Sequence, residues 1–448
     1  MNICVVVGGG VIGLLAAYLS SKTYDKVIVI DGDDKVGGLL SSFQMNGISY
    51  DYGTHIPATT GVLEVDEFLF GNEGERNDNF HKFKHLSAEN YFNGKWNRTS
   101  PLLDARTLSK EDYALGILEL LQKKDDTKDE RSLEKYLIRN VGETFTKKLY
   151  TPVLKKLQGD VDLDDLSTYA LKAFGLERIV ALTDDVTNKL KEMKRYDDSL
   201  GYHSYENGIR NADYLYPKGI NGIGQWVKLI VSKLDKSKVE IKTNRTVKKI
   251  LHADSAITEI VFDNDESLIV DKLIWTIPPI LAAKMTDISV KSLPPKFRTH
   301  SLFHFEIDLP LLKPIPQYLL CWDQNFLTYR ITLYPNITED RNNTDFINLT
   351  VEVISDSYDP NLVDEYSNKV FEELKELEVI HSSSKILNVK NQYLGSGFPV
   401  YTKDLLSNAS RQSDFIKSKL SNIEFLGRAS GSSFFINDLL VDAHKKLS

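Results

Sequence analysis

The strongest constraint on this chain lies at its amino end. The run Ile3–Val7 is short, continuous and apolar, as expected of a central parallel strand buried on both faces. Gly8, Gly10 and Gly13 follow at G-x-G-x-x-G spacing, and Leu14 to Ala17 supply good helix formers. Each glycine has its own task. Gly8 permits the tight turn, Gly10 lets backbone approach a pyrophosphate, and Gly13 lets the helix lie close to the strand. The amino end of that helix aims its amides at the anion. Lys26–Ile30 reads as the second strand, and Asp31 ends it about 20 residues beyond the turn, placed to accept from ribose hydroxyls. Strand, turn, helix and acid in this order predict a dinucleotide site. The alternative is a glycine-rich turn with no ligand.

The residues after Asp31 choose between nucleotides. Gly32 leads to the pair Gly37-Gly38, and positions 43–56 then read as a strand, an Asn-Gly turn and a second strand. A unit built for NAD would run straight into a long helix and a third parallel strand. A glycine pair gives a bulky ligand close access to backbone, which suits a flavin-bearing nucleotide; the alternative is a plain surface turn. The fingerprint occurs once, so a second dinucleotide domain is not expected.

Taken together, the motifs at 5–13, 27–38 and 51–56 resemble the FAD-dependent superfamily of amine oxidases, protoporphyrinogen oxidases, carotenoid desaturases and UDP-galactopyranose mutases. Segments 214–234, 238–250, 271–279 and 422–447 resemble, in order, that superfamily's later motifs, so the resemblance runs the length of the chain. It implies a non-covalently held FAD. The implied contacts are Gly8, Gly10, Val11, Ile12, Gly13, Asp31, Gly32, Gly37, Gly38, Leu39, Ser41, Tyr52, Gly53, Thr54, His55, Val247, Gly427, Arg428 and Asp438. Within the superfamily the mutase-like branch is the nearest in motif. It places His55 beside the flavin, makes Arg330 a diphosphate-binding arginine and makes Tyr401 a diphosphate-contacting tyrosine. The chain departs from that branch in three places. Pro57-Ala58 follow His55-Ile56, Gln158 stands where the branch has tryptophan before Gly159, and Arg210 is only a candidate for the second diphosphate arginine.

Each candidate also has a plainer reading. His55 serves the flavin or fixes its loop. Arg330 pairs with a ligand anion or sits in a surface ion pair on its strand. Tyr401, Tyr329 and Phe434 line a cavity or fill the core, Arg428 braces a loop, and Trp275 packs in a strand. His81 and His85 have metal-like spacing but no supporting acid or cysteine cluster, so no metal is expected.

The resemblance and the local patterns together predict an α/β fold, a Rossmann-like FAD-binding domain interleaved with a substrate domain. Residues 1–60, 205–285 and 420–448 are assigned to the FAD-binding domain. Residues 61–204 form a helical cap section and 286–419 an antiparallel-sheet section. A hairpin is expected over 91–103 around Asn93-Gly94, a Ser109-capped helix near 109–122, and an amphipathic helix over 364–377.

Composition narrows the function classes. The chain has 448 residues and a formal net charge of −8, with no long basic stripe, so a nucleic-acid partner is not expected. The mixed-charge run 123–131 reads as a solvated loop. No apolar run approaches the roughly 18 residues a membrane span needs. There are two cysteines, Cys4 and Cys321, which offer no disulfide framework and fit a reducing, cytoplasmic setting. The function expected is that of a flavoenzyme on a nucleotide-linked or anionic sugar in glycan or polysaccharide biosynthesis. The alternatives are an oxidase or desaturase of a small metabolite and a non-catalytic FAD-containing binder. A small-molecule substrate is expected, with a homodimer allowed.

Overall fold

The computed structural model describes residues 1–122, 132–202, 212–290, 295–313, 316–338, 346–431, 433 and 435–448. The charged run 123–131, Arg210 and Phe434 lie outside these residues. The chain divides into two compact units. One comprises Met1–Lys82, Ala212–Pro294 and Asp404–Ser448, the other Phe83–Asn211 and Pro295–Lys403.

The first unit is built on five strands: β1 (Ile3–Val7), β2 (Lys26–Ile30), β5 (Val239–Lys242), β6 (Lys272–Trp275) and β7 (Ile423–Phe425). Between β2 and β5 the hairpin strands β3 (Ser42–Met45) and β4 (Ile48–Asp51) form a separate ribbon. The five run in the order β5-β2-β1-β6-β7, with every neighbouring pair parallel. The chain moves outward from β1 through β2 to β5, then returns to the other side of β1. This reversal puts a crevice at the carboxyl end of β1, where open parallel sheets bind ligands. Helix α1 (Val11–Ser20) starts at that crevice.

The apolar runs explain the strands. Val5, Val7, Ile28, Ile30, Leu273, Trp275, Ile423 and Phe425 share one buried cluster with Ile250, Ile257, Ile260 and Phe262. The latter four come from a three-stranded antiparallel sheet, Val247–Ala253, Ala256–Phe262 and Ser267–Ile269. The stretch 238–250 resembles one strand in sequence, but the structure splits it between β5 and Val247–Ala253. The break is at Asn244, whose φ of 52° is left-handed, a conformation asparagine tolerates. The β3–β4 hairpin turns on Asn46 and Gly47 at φ 48° and 79°, the residues and hand a two-residue hairpin prefers.

The second unit is organised by a seven-stranded sheet. Its strands run in the order Ile386–Pro399, Phe297–Ile307, Ile347–Ser355, Thr328–Leu333, Tyr318–Cys321, Ala88–Phe92 and Lys95–Asn97. The first five are antiparallel to one another. The 88–97 hairpin, turned on Asn93 and Gly94, joins them through a parallel pairing of Ala88–Phe92 with Tyr318–Cys321. The sheet is therefore mixed and draws on a segment far away in sequence.

The sheet has two different faces. Phe303, Phe305, Leu349, Val351, Ile331, Leu333 and Leu319 point to one side, under Val370, Phe371 and Leu374 of the helix Val363–Glu376. The alternate residues on the other face are largely polar. Two helices of this unit start at serine caps: Ser109 Oγ accepts from the Asp112 amide, as expected, and Ser132 Oγ from the Lys135 amide.

One buried cation fastens helix to sheet. Lys156, in the helix Thr151–Gln158, donates from Nζ to the carbonyls of Cys321, Asp323 and Thr328 at 2.9, 2.7 and 2.7 Å. Burial pulls its ammonium below the ordinary value, against the nearby charges of Glu373 and Asp323. Glu373 grips the same loop by its donors, accepting from the amides of Leu327 and Thr328 at 2.8 Å and from the Thr328 hydroxyl at 2.7 Å. Replacing Lys156 with Met keeps most of the volume and leaves these carbonyls without their donor. We expect a loss of about 3 kcal/mol or more in unfolding free energy, read as a lower urea midpoint.

Candidate functional site

In the first unit the turn after β1 is shaped by its own backbone. Gly8 has a φ of 101°, which a side chain rarely adopts. A Cβ on Gly13 would lie 1.9 Å from the Gly8 carbonyl oxygen, so only glycine lets α1 start this close to β1. Gly10 differs: a Cβ there would meet nothing within 4 Å. Gly10 also caps α1 without any side-chain bond, and the first turn of α1 carries no acid. The amides at Val11, Ile12 and Gly13, which no intrahelical carbonyl can reach, thus open onto space at the positive end of a helix dipole. That arrangement fits a diphosphate.

A second glycine turn stands beside the first. The Gly37 amide donates to the Gly9 carbonyl at 2.9 Å, and Gly10 and Gly37 form a parallel bridge. Gly37 and Gly38 have φ of 119° and 55°. Ser41 secures this turn by donating to the Gly38 carbonyl at 2.8 Å. Asp31 has two backbone partners, the amides of Gly9 at 2.7 Å and Asp33 at 2.9 Å. It braces the turn and keeps further lone pairs that a ribose hydroxyl could use. Gly32 lies close to Thr246, and Leu39 is half exposed at 51%.

Two residues within the motif segments, neither singled out in the sequence, hold this region together. Thr276, just after β6, donates to the Val7 carbonyl at 2.9 Å, and a Cβ on Gly8 would meet its hydroxyl. Its backbone oxygen also lies 3.3 Å from the Cβ position of Gly427. Asp51 is 1% exposed and accepts from the Tyr216 hydroxyl, the Ser42 hydroxyl and the Ile223 amide at 2.7, 2.8 and 2.9 Å. It ties the β3–β4 hairpin to the start of α2 (Gly224–Ser232).

The remaining residues proposed for the cofactor sit around these anchors. His55 is part-buried, with Nε2 3.2 Å from the Tyr52 carbonyl, so it closes the loop through Gly53 and Thr54. Val247 puts its side chain into the apolar core, leaving only its backbone to meet a ligand. Arg428 opens a short 3-10 turn, and Asp438 lies in the first turn of α3 (Ile436–Leu447), accepting from the Ser433 hydroxyl at 3.2 Å. The neighbouring Asn437 donates to the carbonyls of Ala58 and Thr59, tying α3 to the loop beyond His55.

Arg330 and Tyr401 belong to the second unit. Arg330 donates from Nε and Nη2 to Glu352 at 2.6 and 2.7 Å, and His300 Nε2 lies 2.9 Å from the same carboxylate. Glu352 is fully buried. Burial alone would raise its carboxyl, but the Arg330 charge and the bonds from His300 and Arg330 hold it well below the usual carboxylate range. Arg330 thus sits in an ion pair on its sheet, a buried one rather than the surface pair of the plainer reading. A register shift at Tyr329 is a β-bulge, which puts its ring beside Arg330 at 5.5 Å. Tyr329 and Tyr401 both meet Phe174 edge-on, and Phe398 packs against His300. Tyr401 is buried, and its amide donates to Gln158 Oε1 at 2.7 Å. The glutamine that replaces the branch's tryptophan is therefore an anchor for Tyr401. Trp275 is fully buried in β6, and no group of potential metal ligands occurs among the described residues.

One row along the same face, His304 is fully buried between Thr350 Oγ1 at 2.8 Å and Gln392 Oε1 at 3.1 Å. Burial drives its pKa down to about 3, against the bond to Gln392, so the ring is neutral.

Comparison with known proteins agrees with this architecture. Residues 6–68 match the NAD(P)-binding Rossmann-like domain family. A stretch of 107 residues, 23% of the chain, is 31% identical to a 4,4'-diapophytoene desaturase (4,4'-diaponeurosporene-forming) of Staphylococcus haemolyticus; it spans 21% of that protein's length. Among solved structures, reduced UDP-galactopyranose mutase superposes with a TM-score of 0.73 at 18% identity, over 96% of this chain and 90% of that one. A protein of Exiguobacterium sp. 255-15, provisionally named a protoporphyrinogen oxidase, gives 0.71 at 16% identity over 100% and 98%. The chain carries a Rossmann-like nucleotide-binding domain and has the fold of the superfamily its motifs resemble. No described helix is long and apolar enough to cross a membrane.

The neutral His304 has a consequence for acid stability. The unfolded chain takes up a proton below the ordinary histidine value of 6.5, while the folded ring does so only near 3. Stability is thus lost as pH falls through that window, where the unfolded state binds more protons. We expect His304→Gln to flatten the dependence of urea midpoint on pH between about 6.5 and 3.

Proposed function

We propose that this chain is an FAD-dependent enzyme acting on a hydroxylated, sugar-type metabolite, of the kind consumed in glycan or polysaccharide biosynthesis. One observation carries the cofactor part: the paired glycine turns Gly8–Gly13 and Gly37–Gly38, joined by the Gly37 to Gly9 bond, beside an uncapped helix end. The diphosphate would rest on the amides of Val11 to Gly13, with Asp31 at the ribose and the second turn along the extended tail. Bound FAD supplies two-electron chemistry, which the protein directs by orienting the substrate.

The substrate part draws on the polar sheet face of the second unit. Arg330 is matched by Glu352, so this position offers a fixed hydrogen-bonding pair rather than uncompensated positive charge. That favours a substrate recognised through hydroxyls over one recognised mainly through a diphosphate. A nucleotide-linked sugar remains within the proposal, with Tyr401 and the aromatic group around Phe174 beside it. The similarity to a desaturase over 107 residues favours a second reading, hydride removal from a small metabolite.

Both cysteines are buried, their thiols pushed up to about 12 for Cys4 and about 11 for Cys321 by burial, so neither is placed to bond a flavin. Purified protein supplied with FAD should turn yellow, and acid precipitation should release all the colour. Gly10→Ala adds a methyl where no protein atom stands within 4 Å. It should leave the melting temperature of the colourless protein unchanged and weaken FAD binding roughly tenfold or more, about 1.4 kcal/mol; unchanged affinity would refute the cradle. Turnover of a sugar only after dithionite reduction would support a mutase-like reaction without net redox, whereas anaerobic bleaching by the substrate would support an oxidase or desaturase.

A further inference from the structure

Among the described residues, one buried side chain on the polar face of the sheet has neither of its hydrogen-bonding groups bonded. On the strand Ile347–Ser355, Asn348, Thr350 and Glu352 alternate with the apolar Leu349, Val351 and Val353. Glu352 is bonded by Arg330 and His300. Thr350 meets His304 and, at 3.1 Å, the Tyr334 hydroxyl. Asn348 is 0% exposed, yet both its Oδ1 and its Nδ2 lack a partner among the described residues. A buried primary amide with neither end satisfied costs free energy that folding does not return, and native proteins rarely keep one without a reason. A leucine would fill a comparable volume without that cost.

Its neighbours indicate what would satisfy it. The register sets Asn348 opposite Glu306, which is 2% exposed, and Asn388 lies beyond Glu306 on the edge strand. In the adjoining row His304 is neutral, with both ring nitrogens engaged. A fully ionised anion only accepts hydrogen bonds and would leave Oδ1 unpaired. An apolar group would leave the amide unpaired. A hydroxyl both donates and accepts, so a pair of hydroxyls can donate to Oδ1 and accept from Nδ2 while facing acceptor oxygens nearby.

We propose that Asn348 is a specificity-determining residue, binding adjacent hydroxyls of a polyhydroxylated ligand at the Glu306 end of the buried polar face. The proposal rests on the reading that this face receives the substrate, and it deepens that reading by assigning one residue to sugar-type hydroxyls. In the folded protein without ligand the amide is a strained investment; in the complex its two ends are paired.

The test is Asn348→Leu in the full-length, FAD-loaded protein, with Asn348→Val run beside it to guard against overpacking; the higher-melting variant is read. Melting is followed with galactose and with UDP-galactose as separate probes. Without probe, the variant should melt higher than wild type, because an unpaired polar group has been removed. At least one probe should raise the wild-type melting temperature, and the variant should bind that probe tenfold or more weakly. A variant melting at or below wild type would show that the amide is structurally satisfied and would overturn the proposal. So would the absence of any shift with either probe, or equal binding by both proteins. Loss of flavin binding in wild type would instead sink the cofactor reading, and the melting comparison is still readable on colourless protein.

Discussion

The approach of α1 to the end of β1 is the contact on which the nucleotide cradle depends. With 1.9 Å between the Gly13 Cβ position and the Gly8 oxygen, any side chain there must push the helix away from the strand. Such a shift would carry off the amides of Val11 and Ile12, whose value to an anion falls steeply with distance and misalignment. The same turn is secured from two other directions. Asp31 takes the Gly9 amide, and Gly37 donates to the Gly9 carbonyl, so both polar groups of one peptide neighbourhood are consumed in fixing the loop. What is left unbonded is the row of helix amides. In the proposed reading, the loop's own polar groups are spent on holding its shape, and the helix amides face the anion.

The seven-stranded sheet solves a different problem. Its period-two pattern gives the helix Val363–Glu376 an apolar floor and leaves the alternate residues for polar work. Polar groups buried on such a face are costly unless paired, and most of them are: Glu352 three times, His304 twice, Thr328 by Glu373. Lys156 and Glu373 close off the loop before Thr328 from its acceptor and donor sides. That leaves the bulge at Tyr329 fixed in both directions, which in turn sets where Arg330 stands. Gly397 contributes on the far side, since a Cβ there would lie 2.2 Å from that of His300 and would part the two strands.

Much of the first unit was legible in the sequence because its signals are local. The glycine spacing and the Asn46-Gly47 turn act within a few residues of themselves, and Asp31 reaches back only to the turn that opens the same motif. The strands of the second unit were legible for the same reason, through alternation. Their pairing was not. Ala88–Phe92 joins Tyr318–Cys321 across more than two hundred positions, illustrated by the Ser87 to Gln317 bond with a separation of 230, and nothing in either strand's pattern specifies the partner or its parallel sense. The partners of Arg330 were hidden likewise. Glu352 and His300 look like ordinary alternating polar residues until the register sets the former opposite Arg330. Asp51 and Lys156 look like ordinary polar residues in the sequence, and only the folded arrangement shows how many groups each one serves.

The charge arrangement on the sheet bears on the choice between substrates. A diphosphate site needs cations whose charge is not already answered, since desolvating a phosphate is repaid only by strong, uncancelled partners. Here the guanidinium of Arg330 has a buried carboxylate at bidentate range, and the next row contains a neutral histidine. Such a set contributes little net stability compared with apolar residues of the same size. Its retention is better explained by direction than by strength: fixed donors and acceptors that a ligand's hydroxyls can match one by one. In the proposed reading, the first unit answers the charge of its cofactor with bare helix amides, while the second answers an uncharged substrate with oriented, already neutralised groups.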